Sequence, residues 1–317
     1  MEFTPSRGAH GQNIMFSRPA KQRRVMILAC LLPGVMLLGA LAGCSETGAG
    51  PKERSLVVFA AASLSDAFVE ISGAFEKDNP GVKISLNFAG SQRLRTQLEH
   101  GNRADVFASA DYVQMDWLLA SELLQGQPVP FATNRMAVIV PKSTSSAASI
   151  DGVVPSTGPV MSLADLAQEG VKLVLALPEV PAGAYARSVI ETLGADLASG
   201  PKYSQRVLAN VVSMEPNVRS VAQKVALGEA DSGIVYWSDA QVEQLAGRVM
   251  ILPIPEGSNV VATYPAARLR NSAEPELAAA FIEFLRSSQG QNILLERGFG
   301  AADAGQSSSE GGRSNNG

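Results

Sequence analysis

The sequence predicts an α/β fold, and three observations carry that prediction. Short apolar runs of strand length recur along the chain, each gives way to a helical spacing of apolar residues, and the series occurs twice, on either side of a Ser-, Ala- and Gly-rich stretch at 143–158. Such alternation predicts a parallel sheet covered by helices.

In chain order, Leu56–Ala60 is a strand, and Leu64, Phe68, Ile71 and Phe75 recur at helical spacing behind it. Val82–Phe88 alternates as a strand, Ser91 opens a helix carrying Leu94 and Leu98 that Gly101 closes, and Val106–Ala108 is a third strand. Met136–Val140 is a continuous apolar strand. Lys172–Ala176, a helix over about 184–193, a helix over about 218–228 and the strand Gly233–Tyr236 form a second set in the same order. Val249–Ile254, a strand near Ala262–Leu269 and an amphipathic helix over Pro275–Arg286 follow, and that helix is expected to pack back on the first lobe. The expected division is lobe I at 55–133 plus about 250–302 and lobe II at 134–249.

Composition sets the class. With 317 residues, 46% hydrophobic and 18% charged, the chain can bury a large core, and its length suits about two domains at ~100–200 residues each. A formal net charge of -4 creates no basic field of the kind that draws nucleic acid, so no nucleic-acid partner is expected. The only histidines are His10 and His100, and the only cysteines Cys30 and Cys44, too few for a His/Cys zinc site or a serine–histidine triad to be readily built.

The N-terminus reads as an export signal. Arg18, Lys21, Arg23 and Arg24 precede an apolar run from Val25 to Ala42, an n-region followed by an h-region, and Met15 as an alternative start leaves this unchanged. The run ends in Leu41-Ala42-Gly43-Cys44, which resembles the lipobox of bacterial lipoproteins. That resemblance implies removal of residues 1–43 and a lipid on the thiol of Cys44. An uncleaved anchor is the alternative, because the run approaches the ~17–25 residues that cross a bilayer. In both cases the remainder lies outside the cytoplasm, since positive flanks stay inside. With Cys30 removed and Cys44 lipidated, no disulfide is expected. Residues 44–54 read as a flexible tether, and 303–317, rich in Ser, Gly and Asn, as a disordered tail.

Candidate chemistry gathers at helix starts. Ser63 with Asp66 three residues on fits a helix N-terminus; Ala89-Gly90-Ser91, Pro181-Ala182-Gly183 and Asn217-Val218 lead into three more. Unpaired N–H groups at such an end attract an anion without a counter-cation, although a serine there is most often simply a cap. Tyr236, ending an apolar strand, is by composition alone a core or rim aromatic. Arg93 and Arg95 read as solvent-facing. Asp105, Asp111 and Asp231 lack metal-loop spacing and read as structural hydrogen-bond acceptors.

The stretches VFAAASLSDAF (58–68), NFAGSQRLRTQLEHGNRADVFASAD (87–111), EVPAGAYAR (179–187), NVRSVAQKVALGEADSGIVYWSDA (217–240) and YPAA (264–267) resemble the molybdate-binding component of ABC transporters. They run in that family's order over nearly all of 56–300. The resemblance implies a two-lobed periplasmic-binding-protein fold of type II with an oxyanion in the interlobe cleft. It further implies molybdate or tungstate as ligand, no cofactor and no enzymatic activity, a permease as partner, and membrane attachment through the lipid at Cys44. A monomer is expected. Carried over singly, the family's ligand contacts fall on Ser63, Ser91, Ala182, Val218 and Tyr236, with Ala182 and Val218 acting through backbone N–H. Gly90 stands where relatives often have a second serine, implying a lost hydroxyl and a looser turn. Trp237 stands where a smaller or basic residue is common, and either narrows the cleft mouth or packs.

A receptor for sulfate or another tetrahedral oxyanion is the alternative. An exported hydrolase is disfavoured by the absence of a G-x-S-x-G elbow, and a regulator's effector domain by the export signal and the lack of a helix-turn-helix.

Overall fold

The computed structural model describes residues 53–142, 160–196, 201–242 and 247–302. The leader, Cys44, nearly all of the tether, the stretch at 143–158 and the tail at 303–317 lie outside the described residues.

The chain opens with β1 (Arg54–Ala61), a 3-10 turn (Ala62–Leu64), α1 (Ser65–Asp78), β2 (Val82–Ala89), α2 (Ser91–Glu99), β3 (Val106–Ala108) and α3 (Val113–Ala120). The 18-residue strand β4 (Leu124–Pro141) follows. A second series then runs β5 (Leu173–Ala176), α4 (Pro181–Asp196), α5 (Pro201–Ala209), β6 (Val211–Glu215), α6 (Val218–Ala226), β7 (Ser232–Tyr236) and α7 (Trp237–Ala240). The described chain closes with β8 (Val249–Pro253), β9 (Val261–Leu269), α8 (Pro275–Arg286) and α9 (Ser288–Glu296).

The strands lie in the order β2-β1-β3-β9-β4-β7-β5-β6, with β8 beside β4. Two triplets, β2-β1-β3 and β6-β5-β7, are parallel inside, as βαβ crossovers require. Each triplet is flanked by an antiparallel strand, β9 next to β3 and β4 next to β7. The expected all-parallel sheet is therefore corrected to a mixed one. β4 pairs antiparallel with both β8 and β9.

β4 joins the lobes. Leu124–Arg135 pairs with β9, and Met136–Pro141 with β7 and β8. The expected strand at Met136–Val140 is thus the far half of a longer one. β8 pairs with that far half, and β9 with the near half.

Burial follows the pleat. On β1, Leu56, Val58 and Ala60 join the main core, and Phe59 joins a second cluster with Leu94, Leu98, Met115 and Leu118 from α2 and α3. On the main-core side Phe68 and Phe75 of α1 meet Phe281 of α8 at 6.0 and 5.4 Å between ring centres. That edge-on contact packs α8 against the first lobe. Among the described residues no helix is long and apolar enough to cross a membrane.

Candidate functional site

The carboxyl ends of the parallel strands, where open α/β sheets hold ligands, converge on one pocket. Its walls are Ala61-Ala62-Ser63 after β1, Gly90-Ser91 after β2, Val180-Pro181-Ala182 after β5 and Asn217-Val218 after β6, with Ala110 and Tyr236 completing it. The space between them is about 210 Å³ counting its part open to solvent, of which about 10 Å³ admits the centre of a water-sized sphere. All five sequence-predicted residues, Ser63, Ser91, Ala182, Val218 and Tyr236, are brought together there, and each is at most 3% exposed. None of the residues lining the pocket is charged.

Strand register sets the turns side by side. Ala61 pairs with Ala89, and Ala176 with Glu215, so the two turns of each lobe leave adjacent strand ends. Gly183 keeps α4 close to its strand: a Cβ there would lie 2.0 Å from the Leu177 carbonyl oxygen.

Neither serine acts as a helix cap, which corrects the capping expectation for Ser63 and Asp66. Ser63 lies inside the 3-10 turn, and its Oγ is 3.0 Å from the Tyr264 hydroxyl. Asp66 pairs with Arg219 instead. Ser91 is the first residue of α2, and its Oγ accepts from the Ala110 N–H at 3.1 Å. In the second lobe Asn217 does cap, its side chain accepting from Ser220 N–H at 3.0 Å. Val218 and Ala182 hold the first and second positions of α6 and α4, where N–H groups have no partner within the helix.

Tyr236 ends β7 with its hydroxyl buried beside Tyr264 and with no partner in good hydrogen-bond geometry. Such a donor is costly to leave unmade and suits an acceptor placed in the pocket. Burial, followed by the neighbouring Tyr264, pushes its pKa well above the ordinary phenol value, so it stays a neutral donor. Tyr264 rises for the same first reason, burial, against its hydrogen bonds with Ser63 and other neighbours.

The departures resolve as packing. A Cβ on Gly90 would meet the Pro216 carbonyl oxygen at 2.6 Å, and Gln92 donates to that oxygen at 3.2 Å, so the glycine admits a close approach from the other lobe. Trp237 does not line the pocket; Arg135 stacks over its ring at 4.0 Å. Arg93 is exposed, and Arg95 turns to Glu99 at 2.5 Å and Gln114 at 2.9 Å. Asp105 and Asp231 accept backbone hydrogen bonds from Val57 and Lys172, and Asp111 from Gln114. Among the described residues no His/Cys/Asp/Glu group is arranged for a metal ion.

A second space, about 610 Å³ counting its part open to solvent, also borders Ser63, together with Asp66, Arg219, Ser238 and Gln241. Arg219 there joins Asp66 of α1 to Asp239 of α7, with 2.7 Å from Nε to the Asp239 carboxylate. Asp239 is fully buried and pushed up to about 6, chiefly by burial, with Arg219 opposing and Asp66 adding. Sequence reasoning passed over Ala110, Tyr264 and Arg219 as partners of the site. Each acts across the fold and carries no local spacing signal.

The bacterial extracellular solute-binding protein family matches residues 56–300. The molybdate-binding protein ModA of Mycobacterium bovis is 37% identical over 276 residues, covering 86% of this chain and 95% of that protein. The protein of the same name from Escherichia coli K12 is 31% identical over 271 residues, covering 85% and 96%. The substrate binding domain of a putative molybdenum ABC transporter from Clostridium difficile superposes with a TM-score of 0.55 at 28% identity, covering 78% of this chain and 98% of that domain. With a two-lobed sheet, helix starts converging on one buried pocket and a family match across nearly all of the described chain, the protein belongs to the bacterial extracellular solute-binding proteins.

Proposed function

We propose that this chain captures molybdate outside the cytoplasm, as a monomer held to the membrane by a lipid on Cys44, and delivers it to the permease of an ABC importer. The observation that carries the proposal is a buried pocket walled by two serine hydroxyls, two helix starts and an orphaned tyrosine hydroxyl, with no charged group in its lining. Every one of these groups has a proton to give. A fully ionised tetrahedral dianion only accepts hydrogen bonds and so suits such a wall, whereas hydrogen phosphate would need an acceptor. Ser63, Ser91 and Tyr236 would contribute hydroxyls, and Ala182 and Val218 backbone N–H groups.

Each hydrogen bond to a charged group contributes about 1.5–3 kcal/mol, so five of them support a Kd below about 1 μM after desolvation and ordering offset much of the sum. Sulfate has the same charge and shape but is smaller, so discrimination rests on pocket size; tungstate, close to molybdate in size, is expected to bind too. The similar proteins named for molybdate support the choice of ion. Calorimetric titration with molybdate, competed by sulfate, tests it: tight molybdate binding that sulfate displaces only in large excess is expected, and preference for sulfate refutes it. For the anchor, mass spectrometry of the membrane-extracted protein should find a diacylglyceryl-modified Cys44 as first residue. An unmodified thiol there excludes the lipid.

A further inference from the structure

We propose that Tyr264 is a positioning residue that holds Ser63 as a hydrogen-bond donor toward the bound anion. The inference rests on the anion-binding role proposed above and concerns a side chain that does not itself line the pocket.

Tyr264 lies on β9, is 0% exposed and is fixed by edge-on rings of Tyr236, Phe131 and Phe299 at 5.7, 6.4 and 5.4 Å. Its hydroxyl stands 3.0 Å from Ser63 Oγ. A serine hydroxyl has one proton and two lone pairs. When the ion in the pocket can only accept, Ser63 must direct its proton there, and its oxygen is left to accept from behind. Buried Tyr264 is neutral and supplies that proton.

Ser91 shows the same construction with a different part. Its oxygen accepts from the Ala110 N–H at 3.1 Å, so its proton is likewise turned outward. Each serine therefore has a donor at its back, a backbone amide in one case and a phenol in the other. The consequence is selectivity: with one lone pair of each serine engaged from behind and its proton turned into the pocket, each serine meets the bound oxyanion as a donor.

The Tyr264→Phe substitution keeps the ring and removes only the hydroxyl. Titration of the full-length protein with molybdate should show binding about threefold to tenfold weaker in Tyr264→Phe. In a Ser63→Ala background the same change should cost nothing further, because the residue it acts through is gone. Binding of hydrogen phosphate relative to molybdate should rise in the single variant. An unchanged molybdate affinity overturns the proposal, as does an equal loss with and without Ser63, which would mark Tyr264 as packing alone. If the wild-type protein takes sulfate and not molybdate, the choice of ion fails while the same cycle run with sulfate still decides the role of Tyr264. A wild-type protein that binds neither ion overturns both.

Discussion

In the first lobe, β1 and β2 run into turns whose serines line the pocket; in the second, β5 and β6 run into helix starts presenting alanine and valine. The strand plan is the same, β2-β1-β3 with β9 alongside against β6-β5-β7 with β4 alongside. What differs is the kind of donor. The first lobe contributes side-chain hydroxyls, Ser91 backed by the Ala110 N–H and Ser63 by the Tyr264 hydroxyl, and the second contributes main-chain N–H groups and the Tyr236 hydroxyl. Side-chain donors are removable by substitution, whereas main-chain donors persist under any residue that keeps the helix start.

That contrast makes Ser91→Ala the most damaging simple change. Losing one hydrogen bond to an ion costs about 1.5–3 kcal/mol, or about tenfold to a hundredfold in affinity. It also leaves the buried Ala110 N–H without its acceptor, so thermal unfolding should occur at a lower temperature. Val218→Ala, at the matching turn of the second lobe, should change molybdate affinity by less than about threefold, since the N–H remains. Calorimetry on the two variants decides the matter: equal losses would mean that the second lobe holds the ion through its side chains, and the contrast would collapse.

What the sequence could and could not disclose follows from distance along the chain. The serine turns and helix starts were legible because strand, turn and helix are neighbours in sequence. β4 was only half legible: Gly126, Pro128 and Pro130 interrupt the apolar pattern of its first half, and the register shifts beside them. α3 was hidden because Val113 and Trp117 are exposed while Gln114 is buried, which scrambles its apolar spacing. At the site, the missed parts are all contacts between distant segments. Gly90 read as a lost hydroxyl, but its φ of -59° is ordinary and the glycine is explained by the Pro216 carbonyl of the other lobe. Tyr264 lay within a quoted motif, and only folding put its hydroxyl behind Ser63.

A further modest effect concerns how the two lobes are held together over the pocket. Arg219 follows Val218 at the second-lobe helix start, and its guanidinium reaches Asp66 in the first turn of α1. The pair therefore forms only when the lobes meet, and its free energy adds to closure. Asp66→Asn removes the attraction without orphaning the arginine, which keeps the buried Asp239 at 2.7 Å. The side chains of Arg219 and Asp66 are 24% and 38% exposed, so water and salt screen the pair and its contribution is about 0.2–1 kcal/mol. Molybdate affinity should fall by up to about fivefold at low ionic strength, and the difference from wild type should shrink as salt is added. Titrations at low and high salt measure this directly. An effect that persists at high salt would mean that Asp66 shapes the Ser63 turn itself, and the first lobe's donors would then depend on the second lobe through Arg219.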